Sequence, residues 1–145
     1  MRKSLFVSAF TFLEANLLQE YYDQKRRGNL KLDKKSSDEN IYLREALKRL
    51  CRVLPEEGVI ELKELQERMY VLQDLRNWIV HNDGFLSDDI SPKVREKNKS
   101  LISLINKEKN LRFHNNKLFL ERDFCYDAID QIDKFFDMLM KYLYP

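Results

Sequence analysis

Glycine and proline are scarce in this chain, and their scarcity constrains the fold more than any other feature of the sequence. They number three each among 145 residues, well below the ~12% that the two types make up in an average protein. Sheets joined by tight turns consume both residues, which argues against an all-β sandwich or barrel. The glycines stand alone at positions 28, 58 and 84, which excludes a glycine-rich phosphate loop. With 43% hydrophobic residues, which argue against disorder, the composition predicts a mostly helical chain.

Length, charge and cysteine content narrow the class further. A chain of 145 residues is predicted to form a single domain over 1–145, because ordinary domains have ~100–150 residues. The net charge is +2, so any nucleic acid has to be recognised through a local patch. Cys51 and Cys125 are too few for a disulfide framework and indicate reduced thiols, which predicts a cytoplasmic protein. No stretch has the length of a transmembrane helix, so we expect no membrane partner.

Apolar residues recur at the helical period along most of the sequence. The first helix is predicted over residues 3–26, as an amphipathic helix rather than a signal peptide, and Gly28 ends it. The lysine-rich stretch 28–37 is predicted to be a long mobile loop. The apolar stripe of the first helix has 4-3-4-4 spacing and consists of Phe6, Phe10, Leu13, Leu17 and Tyr21.

The remaining elements complete an all-α prediction. A capping box at Ser36 and Glu39 precedes the second helix, which Pro55 and Gly58 end. The third helix is predicted from near residue 59 to 82, the fourth from Pro92, and the fifth over 121–144. Alternating residues around an Asn-Asn pair predict a β-hairpin over 111–120. The predicted fold is therefore an up-and-down bundle of about five helices with a small β-hairpin before the last helix.

A polar cluster interrupts the apolar pattern near the end of the third helix. Arg76 falls on the apolar stripe where Leu is expected, and Asn77 and His81 are four residues apart on one face. Arg76 lies ~7 Å along the helix from His81 and is long enough to reach that face. These three groups suit a phosphate. The same pattern also arises by chance, and two other roles therefore remain open. Arg76 is then a buried ion-pair partner, and His81 is the residue at the C-terminal end of the helix, where the helix dipole favours a protonated histidine.

The string Arg76-Asn77-x-x-x-His81 resembles the Arg-x4-6-His signature of the HEPN superfamily. The helical architecture, the position of the motif late in the third helix and residues 9–16 of the first helix are similar to stand-alone bacterial HEPN proteins. The resemblance implies a homodimeric, metal-independent endoribonuclease that needs no cofactor. It implies RNA as substrate and a role as a toxin or phage-defence effector, with an antitoxin or defence protein as partner. The catalytic residues are then Arg76, Asn77 and His81, with no metal ligand.

The residue types suit RNA cleavage through the 2′-hydroxyl. Histidine gains and loses a proton near neutral pH, and Arg76 offers a fork of donors to the phosphorane oxygens. Because the reaction uses both a base and an acid, a second His81 across a two-fold axis is expected. The alternative is a non-catalytic HEPN module that binds RNA, a nucleotide or a protein partner. A third interpretation, an interaction scaffold, predicts that Arg76 points into a closed ion pair with no cleft beside His81.

The sequence gives less support to a functional role for other polar residues. Glu14 lies between apolar neighbours on the first helix and is either a partner of Arg76 or a residue at the edge of the stripe that reaches solvent. Three aspartates at 83, 88 and 89 are interpreted as loop and helix-start residues rather than as a cation site. The lysine-rich fourth helix, with acidic residues interspersed, is interpreted as a solvated face rather than as an RNA track. His114 is interpreted as an exposed residue beside the hairpin turn.

Overall fold

The structure, a computed structural model, describes residues 1–30, 41–88 and 91–145. Helices account for 74% of the described residues, and the all-α class, with five helices and a hairpin before the last one, is confirmed within them. No helix in these ranges is long and apolar enough to cross a membrane. In chain order the elements are α1 (Arg2–Arg26), α2 (Leu43–Arg52), α3 (Glu56–Asn82), α4 (Pro92–Asn106), β1 (Leu111–His114), β2 (Lys117–Leu120) and α5 (Arg122–Leu143).

The described chain divides into two compact units. One unit consists of Met1–Phe10 and Val71–Gln131, and the other of Thr11–Tyr70 and Ile132–Pro145. Helices α1, α3 and α5 each contribute residues to both units. The single-domain organisation stays a prediction.

The apolar stripe of α1 is buried as the spacing predicts. Each of its five residues is at most 2% exposed, and burying a large apolar side chain stabilises a fold by ~1.5–3 kcal/mol. In the first unit the ring of Phe6 meets that of Phe124 edge-on, with centroids 5.6 Å apart. The helix ends where predicted, because Gly28 adopts a φ of 72° and its N–H donates to the carbonyl of Lys25.

The start of α3 differs from the prediction. The helix begins at Glu56 rather than near Val59, and the N–H of Val59 donates to the carbonyl of Pro55 at 3.1 Å. Proline suits a helix start, where its missing N–H has no partner to lose. Gly58 therefore lies inside the first turn instead of between two helices. It packs against Tyr142, since a Cβ on Gly58 would lie 2.8 Å from Cγ of that ring.

The second helix is shorter than its apolar pattern suggests. It begins at Leu43 and ends at Arg52, so Val53 and Leu54 follow it rather than belong to it. Tyr42 precedes the first turn and makes no side-chain capping bond. The predicted capping box at Ser36 and Glu39, and the predicted mobile loop beyond residue 30, lie outside the described residues.

The fourth helix and the hairpin form as predicted. Ser91 caps α4, with its Oγ accepting a hydrogen bond from the N–H of Val94 at 3.4 Å, and proline occupies the first turn. The hairpin pairs Leu111 with Leu120 and His114 with Lys117. Its two turn residues, Asn115 and Asn116, have φ values of 49° and 59°, as a two-residue turn between antiparallel strands requires.

Candidate functional site

The motif lies where α3 ends, and local backbone chemistry ends the helix there. Asp83 and Gly84 both have positive φ, at 50° and 75°, and the N–H of Phe85 donates to the carbonyl of Asn82 at 2.9 Å. Glycine adopts this conformation without strain. A Cβ on Gly84 would also lie 3.3 Å from that of Leu118. The end of the helix at residue 82, predicted from the sequence, is confirmed.

The loop after His81 is fixed by the hairpin. The N–H of Leu118 donates to the carbonyl of Gly84, and the N–H of Leu86 donates to that of Asn116, each at 2.9 Å. An isolated bridge pairs Phe85 with Lys117 in the antiparallel sense. The hairpin therefore sets the position at which the motif helix ends.

Trp78 adds a side-chain tie between the same loop and the helix. Its indole N–H donates to the carbonyl of Phe85 at 2.9 Å, and its ring lies 5.3 Å from that of Phe113 in β1. Trp78 is 4% exposed. A buried indole needs a hydrogen-bond acceptor, so this contact holds the last turns of α3 against the loop and the hairpin.

Asp83 faces two ammonium groups. The Nζ of Lys3 donates to its backbone carbonyl at 2.7 Å and lies 3.8 Å from Oδ1, and the Nζ of Lys117 lies 3.7 Å from Oδ2. Partial burial lowers the pKa of Lys3 from its ordinary value, against the opposing effect of the Asp83 charge. Asp89 lies outside the described residues. Within the described ranges, no group of three or more His, Cys, Asp or Glu side chains is arranged to hold a metal ion.

Two of the three motif residues, Asn77 and His81, line one cleft, and Arg76 is hydrogen-bonded to the first of them. Arg76 and Asn77 are half-buried, and Nη1 of Arg76 donates to Oδ1 of Asn77 at 2.8 Å. Asn77 and the exposed His81 line a cleft of about 500 Å³, which we call the motif cleft. Arg76 is not among the lining residues, and its link to the cleft is the hydrogen bond to the Asn77 amide. The residues that line the cleft are Asp74, Asn77, Trp78, His81 and Asn82 of α3 with Lys97, Ser100, Leu101 and Leu104 of α4.

The motif cleft has the size and lining of a small-ligand site. Its volume falls within the ~300–1,000 Å³ typical of such sites. Lys97 and Ser100 face it from α4, so a cation and a hydroxyl join Asn77 and His81 from a second helix. Of the lining residues that the structure describes, Asp74 alone is acidic. An anion with several hydrogen-bonding oxygens, such as a phosphodiester, matches this arrangement.

Sequence reasoning missed the wall that α4 contributes. Lys97 belongs to the lysine-rich stretch interpreted as a solvated face, and Ser100 had no assigned role. The spacing of Lys97, Ser100 and Leu104 by three and four residues places them on one side of a helix. The spacing does not show which other helix this side of α4 faces. Only the tertiary structure shows that these residues line the motif cleft.

Two other predicted residues are not among those that line the motif cleft. Glu14 is a half-buried residue of α1 in the unit that does not contain Arg76, so their pairing stays a prediction. His114 ends β1, is exposed as predicted, and approaches the ring of Phe119 with centroids 6.3 Å apart.

The apolar end of α3 is mostly buried within the chain. The sequence predicts that this end is deeply packed or at an interface. Val80, which directly precedes His81, is the exception and remains 50% exposed. The buried residues of this end are Leu72, Leu75, Trp78 and Ile79.

Comparison with models of protein families, with curated proteins and with solved structures finds no match to this chain. The HEPN resemblance therefore depends on the motif and the helical architecture. The function has to be argued from the residues of the cleft.

Proposed function

We propose that the chain is a metal-independent endoribonuclease of the HEPN type. The observation that carries the proposal is the meeting of the motif at one cleft, with Asn77 and His81 lining it and Arg76 hydrogen-bonded to Asn77. A surface scaffold has no need of such a cleft. The exposure of His81 also leaves its imidazole accessible to a polynucleotide.

The cleft residues support a phosphoryl transfer that uses the nucleophile of the RNA itself. The 2′-oxygen attacks the adjacent phosphorus and loses its proton to a base. The bond from phosphorus to the 5′-oxygen breaks, and an acid protonates that oxygen. The products are a 2′,3′-cyclic phosphate and a 5′-hydroxyl. His81 acts as one of the two proton carriers, Arg76 stabilises the charge of the phosphorane, and Asn77 positions the guanidinium.

A homodimer supplies the second proton carrier in this proposal. Val80 precedes His81 and is half exposed, and Phe85, one turn beyond, is 42% exposed. Exposed apolar side chains before and after His81 in the sequence suit an interface around a two-fold axis. Sedimentation velocity tests it, with Val80→Glu expected to shift a dimer to monomer. The matched control is Ile60→Glu, because Ile60 is 67% exposed at the other end of α3. A parent that is monomeric at micromolar concentration contradicts the two-histidine mechanism.

The biological role that we propose, a cytoplasmic toxin or phage-defence effector, follows from the HEPN resemblance alone. An antitoxin or defence protein would then control the activity. Growth arrest on expression, absent in His81→Ala, is the expected sign of a toxin.

The decisive experiment is cleavage of a labelled RNA by the purified chain in the presence of EDTA. We expect cleavage that survives chelation and leaves a 2′,3′-cyclic phosphate. An oligonucleotide with 2′-deoxyribose throughout is the matched control, and it should stay intact because it lacks the nucleophile. Cleavage that requires magnesium, or a product with a 5′-phosphate, contradicts the proposal. A parent that binds RNA without cutting it favours the non-catalytic HEPN module.

A further inference from the structure

A second cleft adjoins the motif cleft along α4. It has a volume of about 530 Å³ and shares Ser100 and Leu104 with the motif cleft. We call it the α4 cleft. The residues that line it are Val71 of α3, and Lys99, Ser100, Ser103, Leu104, Lys107 and Glu108 of α4 and the turn that follows.

The lining of the α4 cleft is basic and rich in hydroxyls. Among the described residues that line it, Lys99 and Lys107 are basic and Glu108 alone is acidic, and two serines lie between the lysines in sequence. Two lysines and one glutamate give the described lining a net charge of +1. Lysine and serine are among the residues whose side chains contact the phosphates and sugars of nucleic acids.

The spacing of these groups fits a strand rather than a single ion. Lys99, Ser103 and Lys107 recur every four residues, so they form one row along the helix. The row is ~12 Å long at 1.5 Å per residue, which is longer than a single phosphate group. More than one phosphate of a strand can therefore lie along the row while the strand continues into the motif cleft at Ser100.

We propose that the α4 cleft is a phosphate-binding subsite that holds the backbone of a single-stranded RNA next to the bond being cleaved. The inference rests on the proposed ribonuclease function, because that function makes the motif cleft the place of reaction. It is an alternative to the interpretation of this lysine-rich stretch as a solvated face. Lys99 and Lys107 are positioning residues in this proposal, since they touch the strand away from the reacting atoms.

The first test measures binding without cleavage. The protein carries His81→Ala, and the probe is a fluorescent RNA of about 12 nucleotides, within the ~4–16 nucleotides of single-strand binding sites. Adding Lys99→Gln and Lys107→Gln should weaken binding about tenfold at low salt. It should also make the slope of log K against log salt shallower by ~1.4, because each of the two lost phosphate contacts contributes ~0.7 to that slope. The matched control adds Lys63→Gln and Lys93→Gln, which remove the same charge from exposed positions outside both clefts. Equal slopes in the two variants overturn the subsite.

The second test separates the subsite from the proposed function. With His81 intact, the Lys99 and Lys107 pair of substitutions should lower kcat/KM for the long RNA about tenfold. The value for a ribodinucleotide should stay unchanged, because its one phosphodiester is the bond being cleaved and leaves no further phosphate for the α4 cleft. If the long RNA is cleaved equally well by both variants, the subsite is wrong and the ribonuclease stands. If the parent cleaves neither RNA but the salt slope changes as expected, the ribonuclease is wrong and the phosphate site stands.

Discussion

The two ends of α3 differ in how closely they are packed and in how accessible their polar side chains are. At its start, Gly58 lies against the ring of Tyr142, and the sequence around it carries no polar motif. At its end, the exposed His81 lies at a cleft, and the helix closes with two residues of positive φ that the hairpin holds in place. The start is determined by close packing, whereas the end combines a rigid backbone with accessible polar side chains.

This difference tells which polar residues need an explanation beyond stability. Folding does not require a half-buried arginine on an apolar stripe, because a leucine at that position buries more apolar surface without desolvating a charge. Arg76 nevertheless stands there and bonds to Asn77, which lines the cleft. Substitutions at the start of α3 should therefore affect stability, and substitutions at its end should affect activity.

The largest effect should come from His81→Ala. We expect a ~10²–10⁴-fold loss of RNA cleavage, the typical contribution of general acid–base catalysis, with a change of less than ~0.5 kcal/mol in unfolding free energy because the side chain is exposed. The matched control is His114→Ala, which removes the other histidine, also exposed and outside the motif cleft. Cleavage at the parent rate by His81→Ala, measured with the same RNA, would show that the catalytic assignment is wrong.

A feature of this site was predictable from the sequence when it depends on residues that are neighbours in the chain. The end of α3 depends on neighbours in sequence, since the run Asn82-Asp83-Gly84 closes the helix by itself. The stripe of α1 and the Asn115-Asn116 turn are local in the same way. The role of Gly58 was not predictable, because it depends on Tyr142, far away in the chain. The same limit hid the face of α4 that lines the cleft.

A clear loss of stability is expected from Gly58→Val. Even a Cβ at this position would lie 2.8 Å from Cγ of Tyr142, and a branched side chain adds further crowding. We expect unfolding to become easier by ~2–3 kcal/mol, seen as a lower melting temperature, with RNA cleavage retained well below that temperature. In a Tyr142→Ala background the penalty of Gly58→Val should shrink, because the ring that it strikes is gone. An undiminished penalty there contradicts the packing explanation.

Trp78→Phe should affect both stability and RNA cleavage, because Trp78 lies at the end of α3 that carries the motif cleft and is itself buried. The substitution keeps an aromatic ring near Phe113 but removes the N–H that donates to the carbonyl of Phe85. We expect a loss of ~1–2 kcal/mol in stability from the hydrogen bond and the smaller ring, and a several-fold drop in cleavage as the loop after His81 loosens. The comparison variant is Tyr42→Phe, at a residue 78% exposed, which should change neither. Unchanged cleavage in a destabilised Trp78→Phe would show that the loop does not position the site.

The smallest effect concerns the dependence of stability on pH near the start of α3. Cys51 is 7% exposed and, with Val59, lines a shallow cleft there. Burial raises the pKa of its thiol from 9.0 to about 11. Between these values the unfolded chain loses the thiol proton while the folded chain keeps it. The unfolded state therefore binds fewer protons, and stability falls as pH rises through this range.

Cys51→Ala isolates this contribution. The variant loses some core packing at every pH, but it no longer has a thiol to ionise when unfolded. The difference in unfolding free energy between parent and variant should therefore shrink by ~1 kcal/mol from pH 8 to pH 10, measured by urea denaturation under reducing conditions. Tyrosines and lysines also titrate in this range, but they do so in both proteins and cancel in the difference. A difference that stays constant with pH would mean that the Cys51 thiol ionises as easily in the folded chain as in the unfolded one, and that the packing beside this end of α3 is looser than the structure indicates.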